Sequence, residues 1–169
     1  GLQVQEGARA EVSRCTVELS SGIGVTAFSS VTVLTVTDLV VRDNAGRGMN
    51  VQEGPQVAAT RAVFERNRGI GVLAAAAGTA TSVTLSDLVI RDTACGDLDP
   101  AGTWQPDRFG SGMGVQFGAA VSVTRGLFEG NHDLGIVAND AGTMLTLEDV
   151  TVQDTVGDCA GQWGRGLGV

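Results

Sequence analysis

Along this chain apolar and polar residues alternate over short runs, as in Val121-Ser-Val-Thr124 and Leu34-Thr-Val-Thr37, and turn residues separate the runs. A period of two puts successive side chains on opposite faces of an extended backbone, so these runs predict strands. The spacing of three and four that marks a helix face does not recur. The runs also copy one another: GMNVQEGPQVAATRAVFERN and then GIGVLAAAAGTATSVTLSDLVIRDT, between Gly48 and Thr93, have relatives upstream and downstream. Self-similarity at this period predicts a solenoid. The units start at Gly1, Gly22, Gly48, Gly69, Gly112, Asp133 and Gly166, at intervals of 21, 26, 21, 43, 21 and 33 residues. That spacing predicts a fixed odd unit and an even unit of variable length.

Each unit offers three short strands (Gly-h-x-Val, Val-x-Val and h-x-Val, where h is apolar) and three bends. This suits one coil of an all-β, right-handed parallel β-helix, of six coils and the start of a seventh, as a single domain over residues 1–169. Leucine-rich repeats would need a denser leucine framework. Both ends of the sequence fall on repeat text, so a segment of a longer repeat protein is expected.

Parallel, in-register stacking makes a second prediction, since equal offsets in successive coils then lie about 4.8 Å apart. Aligned on the third strand, one offset runs Arg14, Asp38, Arg61, Asp87, Arg125, Asp149, and four residues later Glu18, Arg42, Glu65, Arg91, Glu129, Gln153. Charge alternates along both, as a stack requires if like charges are not to face each other. Between them run apolar series expected to face inward: Cys15, Leu39, Ala62, Leu88, Gly126, Val150 and Val17, Val41, Phe64, Ile90, Phe128, Val152. At the following bend, Ser20, Asn44, Asn67, Thr93, Asn131 and Thr155 form a polar ladder suited to bonding backbone left free at a corner.

Repeat text such as Gly48-Met-Asn-Val51, Phe64-Glu-Arg-Asn67 and Leu88-Val-Ile-Arg-Asp92 resembles the pectin-lyase-like family of right-handed parallel β-helices, in particular the degenerate repeats of large surface proteins from high-GC bacteria. The resemblance covers the whole chain and implies the fold and an extracellular or cell-surface location. It implies no activity, because the family's calcium-binding and lyase motifs do not match residue by residue.

Composition narrows the partners. A net charge of −8 argues against nucleic acid, whose binding needs a basic surface, and no apolar run approaches the roughly 20 residues of a membrane helix. All eleven basic residues are Arg, so no phosphate-binding Gly-x-x-x-x-Gly-Lys loop exists. Three cysteines make neither a zinc site nor a dense disulfide scaffold. No cofactor is expected.

Two insertions break the repeat, 94–111 in the fourth coil and 156–165 in the sixth, and both leave from one corner. They hold both tryptophans, Trp104 and Trp163, and two cysteines, Cys95 and Cys159. Coils two apart are about 9.6 Å distant, so bent stems are needed for the disulfide expected there; two free thiols are the alternative. Cys15 is expected to be a buried small hydrophobe. The tryptophans could stack on sugar rings with Asp97, Asp99, Asp107, Arg108 and Asp158 binding hydroxyls, or could instead shield the corner. Asp97 and Asp99 are too few carboxylates for calcium, and no metal site is assigned. An enzymatic alternative uses Asp92 and Asp154, two coils apart across Gly130, near the separation of an inverting acid and base, with His132 beside them. The leading expectation is a non-catalytic structural or adhesion segment, with polysaccharide as possible ligand and neighbouring repeats or end-to-end self-association as partners.

Overall fold

A computed structural model describes residues 1–98, 104–105, 109–162 and 164–169. Its strands are Leu2–Val4 (β1), Arg9–Glu18 (β2), Val25–Phe28 (β3), Val33–Arg42 (β4), Met49–Gln52 (β5), Gln56–Glu65 (β6), Ile70–Ala75 (β7), Ser82–Arg91 (β8), Asp97–Leu98 (β9), Trp104–Gln105 (β10), Ser111–Gln116 (β11), Ala120–Glu129 (β12), Leu134–Ala138 (β13), Met144–Gln153 (β14) and Arg165–Gly168 (β15). The odd-numbered strands β1, β3, β5, β7, β11, β13 and β15 form one parallel sheet, and β2, β4, β6, β8, β12 and β14 form another. Each coil contributes one strand to each sheet, so the chain winds as a solenoid of about six turns around a single apolar core.

Two features differ from the sequence expectation. The second and third strands of each coil are one ten-residue strand, folded at its middle. The fold falls on the first charge ladder: Arg14, Asp38, Arg61, Asp87, Arg125 and Asp149 have φ of 50, 57, 54, 55, 56 and 54°, and the register skips them, passing from Ser13↔Thr37 to Cys15↔Leu39. Left-handed backbone costs a non-glycine residue on the order of 1 kcal/mol. Four of the six form ion pairs along the outside of the bend, Asp38 with Arg61 and Asp87 with Arg125.

The second difference is the unit boundary. Leu2 pairs with Val25, Val25 with Met49, Met49 with Val72, Val72 with Met113, Met113 with Ile136 and Ile136 with Leu167. The stacked glycines are therefore Gly1, Gly24, Gly48, Gly71, Gly112, Gly135 and Gly166, and the plain coil is 23 or 24 residues, not an alternation of 21 with a variable unit. Close approach explains these glycines: a Cβ on Gly48 would lie 2.5 Å from the Gly71 carbonyl oxygen and 2.9 Å from Asn67 Nδ2, and one on Gly112 would lie 2.5 Å from the Gly135 oxygen and 2.9 Å from Asn131 Nδ2.

The polar ladder fits over those glycines. Asn67 is 1% exposed; its Oδ1 accepts from Asn44 Nδ2 (2.8 Å) and Asn44 N (3.3 Å), and its Nδ2 donates to the Val41 carbonyl (2.9 Å). Asn131 repeats the arrangement, accepting from Thr93 N and donating to the Ile90 carbonyl. At another corner Thr32, Thr81 and Thr143 each accept from a backbone N–H of the preceding coil, those of Gly7, Gly54 and Gly118, and donate to a carbonyl of their own coil. No buried side-chain N or O among the described residues is left unpaired, as buried polar groups require.

Inside, size is balanced within each coil. Phe64 follows Ala62 and Phe128 follows Gly126, whereas coils two and four pair Leu39 with Val41 and Leu88 with Ile90, so a large side chain stands next to a small one or two of middle size share the space. Phe64 and Phe128 are wholly buried. Cys15 departs from the expectation of burial. It packs against the core but is partly exposed, because β2 has a coil on one side only.

Candidate functional site

The insertions rise from the corner that follows the Asn/Thr ladder. Coil-to-coil pairing continues one residue past it, through Arg68↔Ala94 and His132↔Val156, and then the chain departs in coils four and six. The first insertion contains a small antiparallel ribbon in which Trp104 pairs with Leu98 and Gln105 with Asp97. It returns through Gly110, whose φ of 146° and whose missing side chain are both needed, since a Cβ there would lie 2.5 Å from His132 Cβ. Cys95 and Cys159 are joined in a disulfide with Cα atoms 5.6 Å apart. The stems thus bend toward each other across the intervening coil.

His132 belongs to that intervening coil. Its Nδ1 lies 3.0 Å from the Thr93 carbonyl; a carbonyl only accepts, so Nδ1 is the donor in this contact. Asp133 comes next, half-buried and left-handed (φ 58°). Desolvation pushes its carboxyl above the ordinary value, the charge of Asp158 pushes it further, and Arg165 opposes both. Asp158 holds its own insertion together: its Oδ1 accepts from the backbone N–H of Ala160 (3.0 Å) and Gln162 (2.7 Å).

Asp133 was not singled out from the sequence. Its signal was present, because it stands where the other unit starts in that count carry glycine. A carboxylate whose folded pKa is raised lowers stability as pH climbs from its unfolded value to its folded one, and the loss persists above that window. Asp133→Asn, which also tolerates left-handed backbone, should therefore raise the thermal midpoint at pH 7 and leave it unchanged near pH 3. A lower midpoint at pH 7 would mean that the Arg165 attraction outweighs burial.

Asp92 and Asp154 occupy left-handed corner positions (φ 54 and 53°) in register with Gly130. The Asp92 carboxylate leans over that glycine, so that a Cβ on Gly130 would lie 2.8 Å from its Oδ1. Neither aspartate has a side-chain hydrogen bond among the described residues. The same offset in coils two and three holds Asp43 and Arg66, joined by bonds of 2.8 and 3.0 Å. Asp99, Asp107, Arg108 and Trp163 lie outside the described residues; Asp97 and Trp104 are placed by their backbone pairing.

Beside the insertions, on the same corner of coils one to three, lies an open polar concavity of about 410 Å³ lined by Leu19, Ser20, Ser21, Asp43, Asn44, Ala45, Arg66 and Arg68. Its floor is the ladder itself, with Ser20 N donating to Asn44 Oδ1. Arg68 connects it to the insertions by donating to the Cys95 carbonyl (3.4 Å). The Arg66 guanidinium holds the Asp43 carboxyl below its ordinary value, and Arg66 itself is raised by Asp43 and Glu65. The groove therefore offers fixed charge, amide and hydroxyl groups, and its one carboxylate is a poor proton donor. The sequence signal for this groove was the short turn in coils one to three next to coils that carry insertions, which leaves a step in the surface.

The sequence model of the family described as right handed beta helix region matches residues 1–156. Among solved structures the chain is similar to one titled "Crystal structure of pectate lyase Pel9A", at 14% identity and a TM-score of 0.45, over 83% of this chain and 51% of that one. The chain spans about half the length of that protein. A comparison with curated proteins finds no match.

Proposed function

Since the chain belongs to the right-handed β-helix family, we propose that it is a non-catalytic structural or adhesion segment of a secreted or surface protein that holds carbohydrate at its insertion-bearing corner. The observation that carries this reading is the adjacency of a polar groove to two insertions fastened by a disulfide. Hydroxyl-rich ligands suit fixed Arg, Asn and Ser donors, and fastened loops lose less entropy when they bind. A disulfide persists where the surroundings are oxidising, in keeping with an extracellular location. Glycan-array binding read by tryptophan fluorescence tests the proposal. A saturable shift on one glycan class, lost in Trp104→Ala, is expected; no shift across the array rejects carbohydrate binding and leaves the rigid spacer.

A second reading, a polysaccharide-active enzyme using Asp92, Asp154 and His132, is favoured by the register of the two unpaired carboxylates across Gly130. It requires release of reducing sugar or unsaturated product from a polysaccharide panel, abolished by Asp154→Asn.

A further inference from the structure

We infer that the groove beside the insertions takes a neutral sugar and turns away its uronic counterpart, with the Asp43 carboxylate accepting from two neighbouring hydroxyls of the ring. The inference rests on the carbohydrate reading and names the ligand class of that same site. It begins with how the charges of the groove are already used. Arg66 donates through Nε and Nη2 to the two oxygens of Asp43, at 2.8 and 3.0 Å, and its Nη1 lies 3.1 Å from Glu65 Oε1. Glu65 in turn holds Arg91. On the other side Asp43 faces Arg42 at 3.9 Å, and Arg42 holds Glu18 at 2.8 Å. Acid and base therefore alternate through Glu18, Arg42, Asp43, Arg66, Glu65 and Arg91, and the network carries no net charge. Arg68, the other guanidinium lining the groove, donates to the Cys95 carbonyl and is engaged elsewhere as well.

A uronate needs what this network has used up. Arginine holds a carboxylate best when its planar fork meets both oxygens in parallel, and the fork of Arg66 is closed by Asp43. In the next coil Asp92 stands at the corner offset of Arg66, so Asp43, Glu65 and Asp92 surround that guanidinium. With a net charge of −8 on the whole chain, an incoming carboxylate meets repulsion and no unspent fork.

A hydroxyl meets the opposite situation. The Arg66 guanidinium keeps the Asp43 carboxyl below its ordinary value, so Asp43 is an acceptor without a proton. A carboxylate oxygen has about two lone-pair sites, and each oxygen of Asp43 gives one to Arg66. One remains on each, side by side, as two neighbouring ring hydroxyls require. The Asp43 side chain is 35% exposed, so a ligand reaches it, while the two bonds from Arg66 fix its orientation before binding. The N–H groups of Arg66 not spent on Asp43 and Glu65 are left to donate to hydroxyl oxygens, and Ser20 and Ser21 add groups that both give and accept.

Matched oligosaccharides test the inference. Galacto-oligosaccharides against oligogalacturonides, cello-oligosaccharides against oligoglucuronides, and manno-oligosaccharides against oligomannuronides each exchange a hydroxymethyl for a carboxylate on the ring. Calorimetric titration of the whole chain should show a neutral series bound at least about tenfold more tightly than its uronic partner, with an affinity that changes little as salt rises. Asp43→Asn keeps the shape and tolerates left-handed backbone; it should weaken the neutral ligand roughly tenfold and shrink the preference over the uronic partner. Far-UV circular dichroism verifies the fold of the variant, and the preference shown by the unaltered chain is a test that needs no variant. A uronic series bound as tightly as its neutral partner, or neutral binding indifferent to Asp43→Asn in a folded variant, would overturn the inference and leave carbohydrate binding in place. Binding of neither member in any pair would overturn both.

Discussion

Removing the Cys95–Cys159 bridge is expected to lower stability by about 4 kcal/mol, the chain-entropy value for a closed loop of this size. The sequence separation is 64 residues, and cutting the bridge releases that restriction on the unfolded chain. Topology should also shape the effect. In a stack where each coil touches only its neighbours, the bridge joins coil four directly to coil six, and coil five cannot peel away while it holds. Cys95→Ser with Cys159→Ser, compared with the parent in urea, should show the lower midpoint. Hydrogen exchange should show lost protection in β13 and β14 and little change in β4 and β6. Equal midpoints with and without reductant would show that the insertions fold independently of the coils.

Asn67→Ala should cost about 3 to 5 kcal/mol. The truncation leaves the Asn44 amide N–H, the Asn44 side-chain amide and the Val41 carbonyl without the partners they have now, and each buried orphan costs about 1–3 kcal/mol. The corner excludes solvent, with Asn44 at 2% and Asn67 at 1% exposure. Urea denaturation monitored by circular dichroism measures the loss. A cost below about 1 kcal/mol would mean that water enters and replaces the amide. On acidification a gentler loss should come from the outward ladders: Arg partners hold Asp38, Asp43, Glu65 and Asp87 below their ordinary values, so their support is present above about pH 4 and fades as pH falls through the folded values.

The ladders were legible because a parallel stack repeats chemistry at equal offsets, and Arg61 against Asp38 or Asn67 against Asn44 needs no knowledge of shape. The unit boundary was less so. Gly22-Ile-Gly24 and Gly69-Ile-Gly71 each hold two glycines two residues apart, and either fits the start pattern. Only the next coil distinguishes them: a Cβ on Gly22 would meet nothing within 4 Å, whereas one on Gly24 would meet the Gly48 carbonyl at 2.8 Å. The bend inside the ten-residue strands was hidden for a similar reason, since charge at Asp38 or Arg125 marks exposure and does not report the sign of φ.

By itself the sequence determined an all-β parallel stack of about six coils, its inward and outward faces and its charge register, because a period of two and a repeat of chemistry are local and translational properties. Only the tertiary structure decided what meets at the corners: Asp133 beside Asp158 and Arg165, Cys95 within reach of Cys159, and the groove between Leu19, Arg66 and Arg68. Those meetings depend on how far each left-handed corner turns the chain and how far each insertion bends from its stem, and neither quantity repeats along the sequence.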